Sequence, residues 1–374
     1  MKHRCATISH PLILLTYLVA AAVAPSVASA QEALWGGALV SKIDSLAEVT
    51  LAQGPVAALS IAVKRGGDLL LVRGYGRADI ENDVPATAET VYRIGSITKQ
   101  FTAAAVMQLV EAGKIGLDDP MTTYLPDYPM QGHEVTIRHL LTHTSGIKSF
   151  TGLADWGPKS KLDLTDEELL TIFNVEPFDF APGQRFLYNN SGYYLLGVII
   201  EKAVGETYRE YLNARLFGPL GLTGTSYCDE RPIIRGRAEG YELVDGELLN
   251  DEYLSMNPPG AAGALCSTVL DLLSWTSALR TKRVVSAASY RQMTTSGTLD
   301  NGSTTGYAFG LRVGELEEHP FVSHGGGING FSTMLAHYPE ADLDVVVLSN
   351  TAGGHPARIA ETIARWALGA PRVR

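Results

Sequence analysis

Hydrophobic residues recur along the chain with two different periods, and together these periods predict a mixed fold. Apolar positions three or four residues apart, the spacing of one helix face, predict helices over several segments. These segments are 38–52, 96–113, 136–142, 165–173, 191–204, 207–217, 267–280 and 356–368. Runs of β-prone residues predict strands at 56–64, 68–75, 307–313, 331–338 and 343–349. Strands therefore lie towards both ends of the chain, and helices dominate its middle.

The order of these elements predicts an α+β fold built on one antiparallel β-sheet. Arg65-Gly66-Gly67 between the first two strands is typical of a hairpin turn. Few strand pairs show the strand–helix–strand crossover that parallel pairing requires. We expect residues 31–85 and 300–374 to share one sheet flanked by helices. The mostly helical region at about 115–265 would then be an insertion within a single domain, 31–374.

The N-terminus has the pattern of a secretory signal peptide. A basic start precedes an apolar stretch at 11–24, and Ala28-Ser29-Ala30 places small residues where signal peptidase cuts. The pattern predicts a signal peptide over residues 1–30, cleaved before Gln31, and a periplasmic or extracellular protein. The alternative is a membrane anchor, but the apolar stretch is shorter than the roughly 20 residues that a spanning helix needs. We expect no stable membrane insertion after cleavage.

The charge balance is acidic, with a formal net charge of −10 over 374 residues. Cleavage would lower it to −12, because Lys2 and Arg4 are lost and no acidic residue is. An acidic protein repels nucleic acid and anionic lipid, so neither is expected as a partner.

Two cysteines, Cys228 and Cys266, remain after the predicted cleavage. An oxidising compartment would permit a disulfide between them. Two buried thiols are equally compatible with the sequence, since spacing alone does not say whether their Cα atoms are close enough.

The sequence predicts neither a metal site nor a cofactor. His139 and His143 have a spacing that suits zinc on a helix, but no glutamate stands between them in an H-E-x-x-H pattern, and no third ligand is evident. No phosphate-binding loop of the G-x-x-x-x-G-K-[ST] type is present.

Ser96 and Lys99 form the first candidate constellation. Serine and lysine three residues apart at a helix start share one face. A serine hydroxyl needs a neighbouring base to become a nucleophile, and a partly desolvated lysine amine can act as one. Taken alone, the pattern is more typical of a serine that caps a helix beside a solvated lysine.

Two further constellations lie later in the chain. Tyr188 and Asn190 precede a predicted helix; a phenol can transfer a proton and an amide can orient a carbonyl. His324, Gly326 and Gly327 precede a predicted strand, and their glycines leave the backbone open to a ligand. The alternatives are a core tyrosine with a capping asparagine, and a tight turn with a surface histidine.

Together these constellations resemble the serine β-lactamase and penicillin-binding-protein superfamily, and most closely its class C-like branch of esterases and D-stereospecific peptidases. That branch carries S-x-x-K, Y-x-N and a K/H-x-G element in this order. The flanking segments 92–95, 140–147 (LLTHTSGI) and 258–268 (PPGAAGALCST) match as well. The resemblance covers about residues 40–370 and implies the β-lactamase/transpeptidase fold.

The resemblance also implies a mechanism. Ser96 would attack a carbonyl and become acylated, while Tyr188 with Lys99 would move the serine proton to the leaving group. The backbone N–H groups of Ser96 and Gly327 would bind the oxyanion, and Asn190, His324 and the Gly326 segment would contact substrate. Water would then hydrolyse the acyl-enzyme. The expected substrate is a small ester, peptide or β-lactam.

One departure from the family pattern bears on the substrate. The third element is His-Gly-Gly rather than Lys-Thr-Gly. Lysine would supply a permanent charge for a β-lactam carboxylate, whereas histidine is mostly neutral near pH 7. This favours an esterase or D-amino-acid peptidase with weak β-lactamase activity. The alternative hypothesis is a penicillin-binding-like or scaffold protein with the same fold and little turnover.

Overall fold

An antiparallel sheet of seven strands forms the centre of the protein in the computed structural model, which describes residues 1–2, 27–54 and 56–369. The strands in these residues are β1 (Ala58–Arg65), β2 (Asp68–Asp79), β3 (Val84–Pro85), β4 (Tyr92–Arg93), β5 (Ser226–Tyr227), β6 (Tyr241–Val244), β7 (Glu247–Asn250), β8 (Leu265–Ser267), β9 (Arg312–Leu316), β10 (His319–Ile328), β11 (Phe331–Tyr338) and β12 (Leu343–Ser349). The central order is β3-β2-β1-β12-β11-β10-β9. Strands from both chain ends share this sheet, as predicted.

The helices lie on both faces of the sheet and in the long segment between β4 and β9. In the described residues they are α1 (Val27–Gln53), α2 (Thr98–Glu111), α3 (Ile137–Leu141), α4 (Trp156–Lys159), α5 (Asp166–Phe173), α6 (Asn190–Val204), α7 (Tyr208–Leu212), α8 (Gly218–Leu220), α9 (Gly260–Gly263), α10 (Val269–Arg280), α11 (Ala287–Met293) and α12 (Pro356–Leu368). Several begin at a threonine whose side chain accepts a backbone N–H, as Thr165 and Thr268 do. The α+β class is therefore confirmed.

Alternating residues of the central strands pack into two different cores. In β1, Leu59, Ile61 and Val63 belong to a core shared with α1 and α12. Ala58 and Ala62 of the same strand face the larger core, which α2, α6 and α10 complete. Because successive side chains of a strand point to opposite faces, one strand supplies both layers. The small alanines on the second face let α10 lie close to the sheet.

Three segments differ from the predictions. Residues 307–311 are not a strand, and β9 begins only at Arg312. The His-Gly-Gly-Gly segment, for which a tight turn before a strand was the alternative, lies inside β10, where β11 pairs with it. The hairpin of β6 and β7 falls in a region for which no strand was predicted.

Cys228 and Cys266 form a disulfide, with Cα atoms 5.1 Å apart. This selects one of the two alternatives that the sequence leaves open. Cys266 lies in β8, where the carbonyl of Leu265 accepts the N–H of Ile94 at 2.9 Å. The disulfide therefore braces the strand that supports the segment leading into Ser96.

Most of the predicted signal peptide, residues 3–26, lies outside the described residues. The backbone of 27–30 is the first turn of α1, which runs across the predicted cleavage site before Gln31. Among the helices of the described residues, none combines the length and apolarity needed to cross a bilayer.

Candidate active site

Ser96 lies in a single 3₁₀ turn, Gly95–Ile97, directly before α2. The prediction that Ser96 caps the helix is wrong, because the N-cap residue of α2 is Ile97 and no side chain caps it. The turn requires glycine at position 95, where φ is +50° and a Cβ would come within 3.0 Å of the Gly327 nitrogen. The Ser96 hydroxyl is thereby left free to line a cleft.

Lys99 lies one turn after Ser96 and is fully buried. Its Nζ donates to the Oδ1 of Asn190 and to the carbonyl of Ala262, both at 2.8 Å, and is 3.1 Å from the Oγ of Ser96. All three contacts are neutral oxygens. Burial without a carboxylate partner holds the pKa of Lys99 well below its ordinary value.

These contacts suit a neutral amine. A neutral Lys99 has two N–H bonds, which the Asn190 and Ala262 oxygens accept, and one lone pair that faces the Ser96 hydroxyl. The amine can therefore accept the serine proton without any rearrangement of its surroundings.

Tyr188 and Asn190 lie at the start of α6, beside Lys99. The Lys99 Nζ is 4.8 Å from the centre of the Tyr188 ring. The Tyr188 hydroxyl is buried and makes no hydrogen bond of good geometry. Burial raises the pKa of Tyr188. The hydroxyl of Ser96 lies beside the phenol and opposes part of this rise. Asn190 is held from its other side, because its Nδ2 donates to the Oγ1 of Thr151 at 3.0 Å.

His324 faces the protein interior rather than the cleft. Its Nδ1 donates to the Gly325 carbonyl at 2.6 Å, and its Nε2 accepts the Tyr307 hydroxyl at 2.9 Å. Burial lowers the pKa of His324 to about 3. We expected His324 to contact substrate, but the structure does not place it to do so. Both ring nitrogens already have hydrogen-bond partners, and the residue is 3% exposed.

Gly326 and Gly327 bring β10 against the segment that carries Ser96. A Cβ on Gly326 would lie 2.0 Å from the Ile94 carbonyl oxygen, so only glycine allows this approach. The Oγ1 of Thr333 donates to the same carbonyl at 3.0 Å and joins the two segments. Gly327 is exposed and lines the cleft beside Ser96.

The cleft over Ser96 has a volume of about 160 Å³. Phe150, Trp156, Leu254 and Ile328 form its apolar walls. Its polar side chains, those of Ser96, Thr151, Asn190 and Asn329, are uncharged. No charged side chain lines this cleft within the described residues.

The structure brings all three predicted segments together around Ser96, but not every predicted residue lines the cleft. Ser96, Asn190 and Gly327 line the cleft, with Lys99 beneath them. No group of three or more potential metal ligands occurs in the part of the chain that the structure describes. His139 instead accepts the Thr136 N–H at the start of α3, at 3.2 Å.

A family model described as Beta-lactamase matches residues 43–370, which is most of the chain. The chain belongs to the Beta-lactamase family. Penicillin-binding protein 4* of Bacillus subtilis (strain 168) is 31% identical over 309 residues, covering 78% of this chain and 67% of that protein. Protein flp of Staphylococcus aureus (strain MRSA252) is 28% identical over 339 residues, covering 86% and 64%. The chain spans about two thirds of the length of these curated relatives.

Solved structures agree with this assignment. The octameric penicillin-binding protein homologue from Pyrococcus abyssi has a TM-score of 0.77 and 33% identity, with 88% of this chain and 77% of that chain covered. D-amino acid amidase from Ochrobactrum anthropi SV3, complexed with L-phenylalanine amide, has a TM-score of 0.75 and 26% identity, covering 88% and 97%. Membership of the Beta-lactamase family, with an amidase among the relatives, supports a serine hydrolase-like function.

The sequence did not predict the roles of two residues in this Beta-lactamase family site. The carbonyl of Ala262 fixes Lys99, and Tyr307 fixes His324. Ala262 lies in the PPGAAGALCST segment that carries part of the family resemblance. The resemblance therefore indicates that the segment matters, but it does not predict the hydrogen bond from Lys99 to the Ala262 carbonyl. Tyr307 has no motif around it. Its role depends on where the chain after α11 returns to the sheet.

Proposed function

We propose that this protein is a secreted serine hydrolase that acts through an acyl-enzyme on small ester or amide substrates. The observation that carries the proposal is the surroundings of Lys99: a fully buried amine with no carboxylate partner, whose lone pair faces the hydroxyl of Ser96. A lysine held in this way serves no evident purpose in stability, because a buried unpaired cation is costly. It suits a base beside a nucleophile.

The proposed reaction begins when Ser96 Oγ bonds to the substrate carbonyl carbon and its proton passes to Lys99 Nζ. The backbone N–H groups of Ser96 and Gly327 would stabilise the oxyanion. Collapse of the tetrahedral intermediate breaks the bond to the leaving group, which takes a proton from the Tyr188 hydroxyl, and the Lys99 ammonium restores that proton. Because burial raises the pKa of Tyr188, the phenol is suited to donate a proton rather than to begin as a base. Water then adds its oxygen to the acyl carbon and gives up a proton, the bond to Ser96 Oγ breaks, and the released proton returns to Oγ as the acid leaves.

The lining of the cleft supports an uncharged acyl group. Fixed charge is absent from its described walls, and the neutral His324 points away from it. A substrate carboxylate in this cleft would therefore lose hydration without gaining a partner. Phe150 and Trp156 provide aromatic surface of the kind that an aromatic acyl group contacts. L-phenylalanine amide, with which the amidase relative is complexed, has such a group, and this supports an aromatic amide or ester as the substrate class.

A panel of three substrate classes tests the proposal: a nitrophenyl ester, a D-amino-acid anilide and a cephalosporin. We expect hydrolysis of the ester and the anilide, weak or no turnover of the cephalosporin, and loss of activity in Ser96→Ala. Ser303→Ala is the matched control, because Ser303 is an exposed serine that hydrogen-bonds within its own turn. Equal rates for the wild type and Ser96→Ala would exclude the proposal. Stable labelling of Ser96 without turnover would favour a penicillin-binding role instead.

Secretion is part of the proposal and has its own test. The supporting observation is the signal-like pattern of residues 1–30, with small residues at the predicted cut. Expression of the full chain in a bacterial host should place the protein outside the cytoplasm, with Gln31 as its first residue. Recovery of an intact N-terminus from the cytoplasm would contradict secretion and leave the catalytic proposal unaffected.

A further inference from the structure

His143 is a buried residue that the proposed reaction does not use. It follows α3, is 1% exposed, and has a φ of +58°. Residues other than glycine uncommonly adopt this left-handed conformation, and it persists only where the surroundings impose it. The strained residue lies immediately beneath the segment that carries Tyr188.

His143 binds the backbone on both sides of Tyr188. Its carbonyl oxygen accepts the N–H of Leu187 at 3.0 Å, and its Nδ1 accepts the N–H of Asn189 at 3.1 Å. The left-handed backbone conformation of His143 directs both its carbonyl and its side chain towards the segment 187–189. One residue therefore fixes the peptide groups before and after the tyrosine.

The imidazole also packs against the tyrosine ring. The ring centres of His143 and Tyr188 are 4.3 Å apart, and those of His143 and Tyr307 are 4.5 Å apart. Because Nδ1 accepts a hydrogen bond, the single proton of the neutral ring lies on Nε2, which is buried and has no hydrogen-bond partner. Burial keeps the pKa of His143 well below its ordinary value, so the neutral ring stays an acceptor at Nδ1. His143 does not line the cleft and cannot contact substrate there.

We propose that His143 is a positioning residue, which holds the Tyr188 hydroxyl over Ser96 and Lys99 by binding the backbone N–H of Asn189 through Nδ1 and that of Leu187 through its carbonyl. The inference rests on the proposed function, in which Tyr188 protonates the leaving group. On this proposal, the segment 140–147 supports the fold and also orients the Tyr188 side chain.

Two substitutions separate the hydrogen bond from the ring. In His143→Asn, Oδ1 can take the place of Nδ1, and asparagine tolerates the left-handed conformation. In His143→Phe, the ring packing remains and the acceptor is lost. The matched control is His139→Phe, which removes an imidazole Nδ1 that also accepts a backbone N–H, at the start of α3 rather than beside Tyr188.

The readout is the ratio of kcat for a nitrophenyl ester to kcat for the anilide of the same acid. Nitrophenolate leaves without a proton, whereas the anilide nitrogen needs one, so a displaced Tyr188 slows only the anilide. Misplacement on the order of 1 Å can cost roughly a hundredfold in rate. We expect His143→Phe to raise the ratio at least about tenfold with KM little changed, and His143→Asn and His139→Phe to keep the wild-type ratio.

A wild-type ratio in His143→Phe, or an equal rise in His139→Phe, would overturn the inference. If His143→Phe does not fold, His143→Gln replaces it with the same expectation, because its longer amide reaches the Nε2 position rather than Nδ1. The failure of the proposed function is distinguishable: in that case the wild type itself hydrolyses neither substrate through Ser96, and Ser96→Ala matches it.

Discussion

Acid should destabilise the protein through His324, and the size of the effect follows from its surroundings. The folded protein holds the pKa of His324 at about 3, because burial disfavours the imidazolium. In the unfolded chain the pKa returns to about 6.5. The unfolded state therefore binds the proton more tightly, so this contribution to stability is complete above about pH 6.5 and is lost as pH falls towards 3.

The expected loss is large enough to measure. Each pH unit between the two pKa values costs about 1.4 kcal/mol in the free energy of unfolding. Between about pH 7.5 and about pH 4.5, His324 alone should account for about 3 kcal/mol of lost stability. His143 titrates in the same direction, because its pKa is also lowered, and adds to the total.

The comparison that isolates His324 is with His324→Gln, which does not titrate and can still accept the Tyr307 hydroxyl. Urea unfolding at both pH values gives the free energy of unfolding of each protein. The wild type should lose about 3 kcal/mol more than the variant on acidification, since the contribution of His143 is common to both. Parallel pH dependences would refute the reasoning, because they would mean that His324 is already charged, or is solvated, in the folded protein.

Two further predictions concern the groups around Ser96. Asn190→Asp places a carboxylate where an amide oxygen now lies 2.8 Å from the Lys99 Nζ. It should raise the pKa of Lys99 and move the rising limb of the kcat/KM–pH profile to higher pH by about one unit or more; an unmoved limb would exclude Lys99 as the base. Replacing both Cys228 and Cys266 by alanine removes a bond across a sequence separation of 38. Urea unfolding should show a loss of about 4 kcal/mol on the chain-entropy model, and an unchanged midpoint would contradict the disulfide.

Local sequence patterns predict the elements that depend on local physics. α5 and α10 begin where the sequence expects them, because Thr165 and Thr268 supply caps directly before an amphipathic run. β12, LDVVVLS, is apolar except at Asp344 and Ser349, and all its residues are buried in a strand that lies between β1 and β11. In these segments the local preference and the tertiary environment agree.

β10 shows where local reasoning fails. Its His-Gly-Gly-Gly segment has little intrinsic preference for a strand, yet it pairs with β11 from Val322 to Ile328. Glycine is required at position 326 because the backbone of Ile94, which is distant in sequence, lies against this strand. Only the tertiary arrangement reveals that requirement, so the sequence indicates a turn where the protein has a strand.

The candidate site also contains features that the sequence predicts and features that it does not. The residues Ser96, Lys99, Tyr188 and Asn190 are found by their motifs and meet in space. The inward direction of His324 could not be predicted, because it depends on Tyr307, a residue outside every motif. The side chains of the cleft come from loops whose shapes are set by contacts distant in sequence.

The most direct test of the central claim is the mass of the protein after reaction with a fluorophosphonate. The account predicts one covalent adduct, which peptide mapping places on Ser96, and its absence from Ser96→Ala. It also predicts that Lys99→Met, which removes the base while keeping the volume of the side chain, reacts far more slowly. An adduct on another residue, or equal labelling of the wild type and Lys99→Met, would contradict the claim that the buried amine of Lys99 activates Ser96.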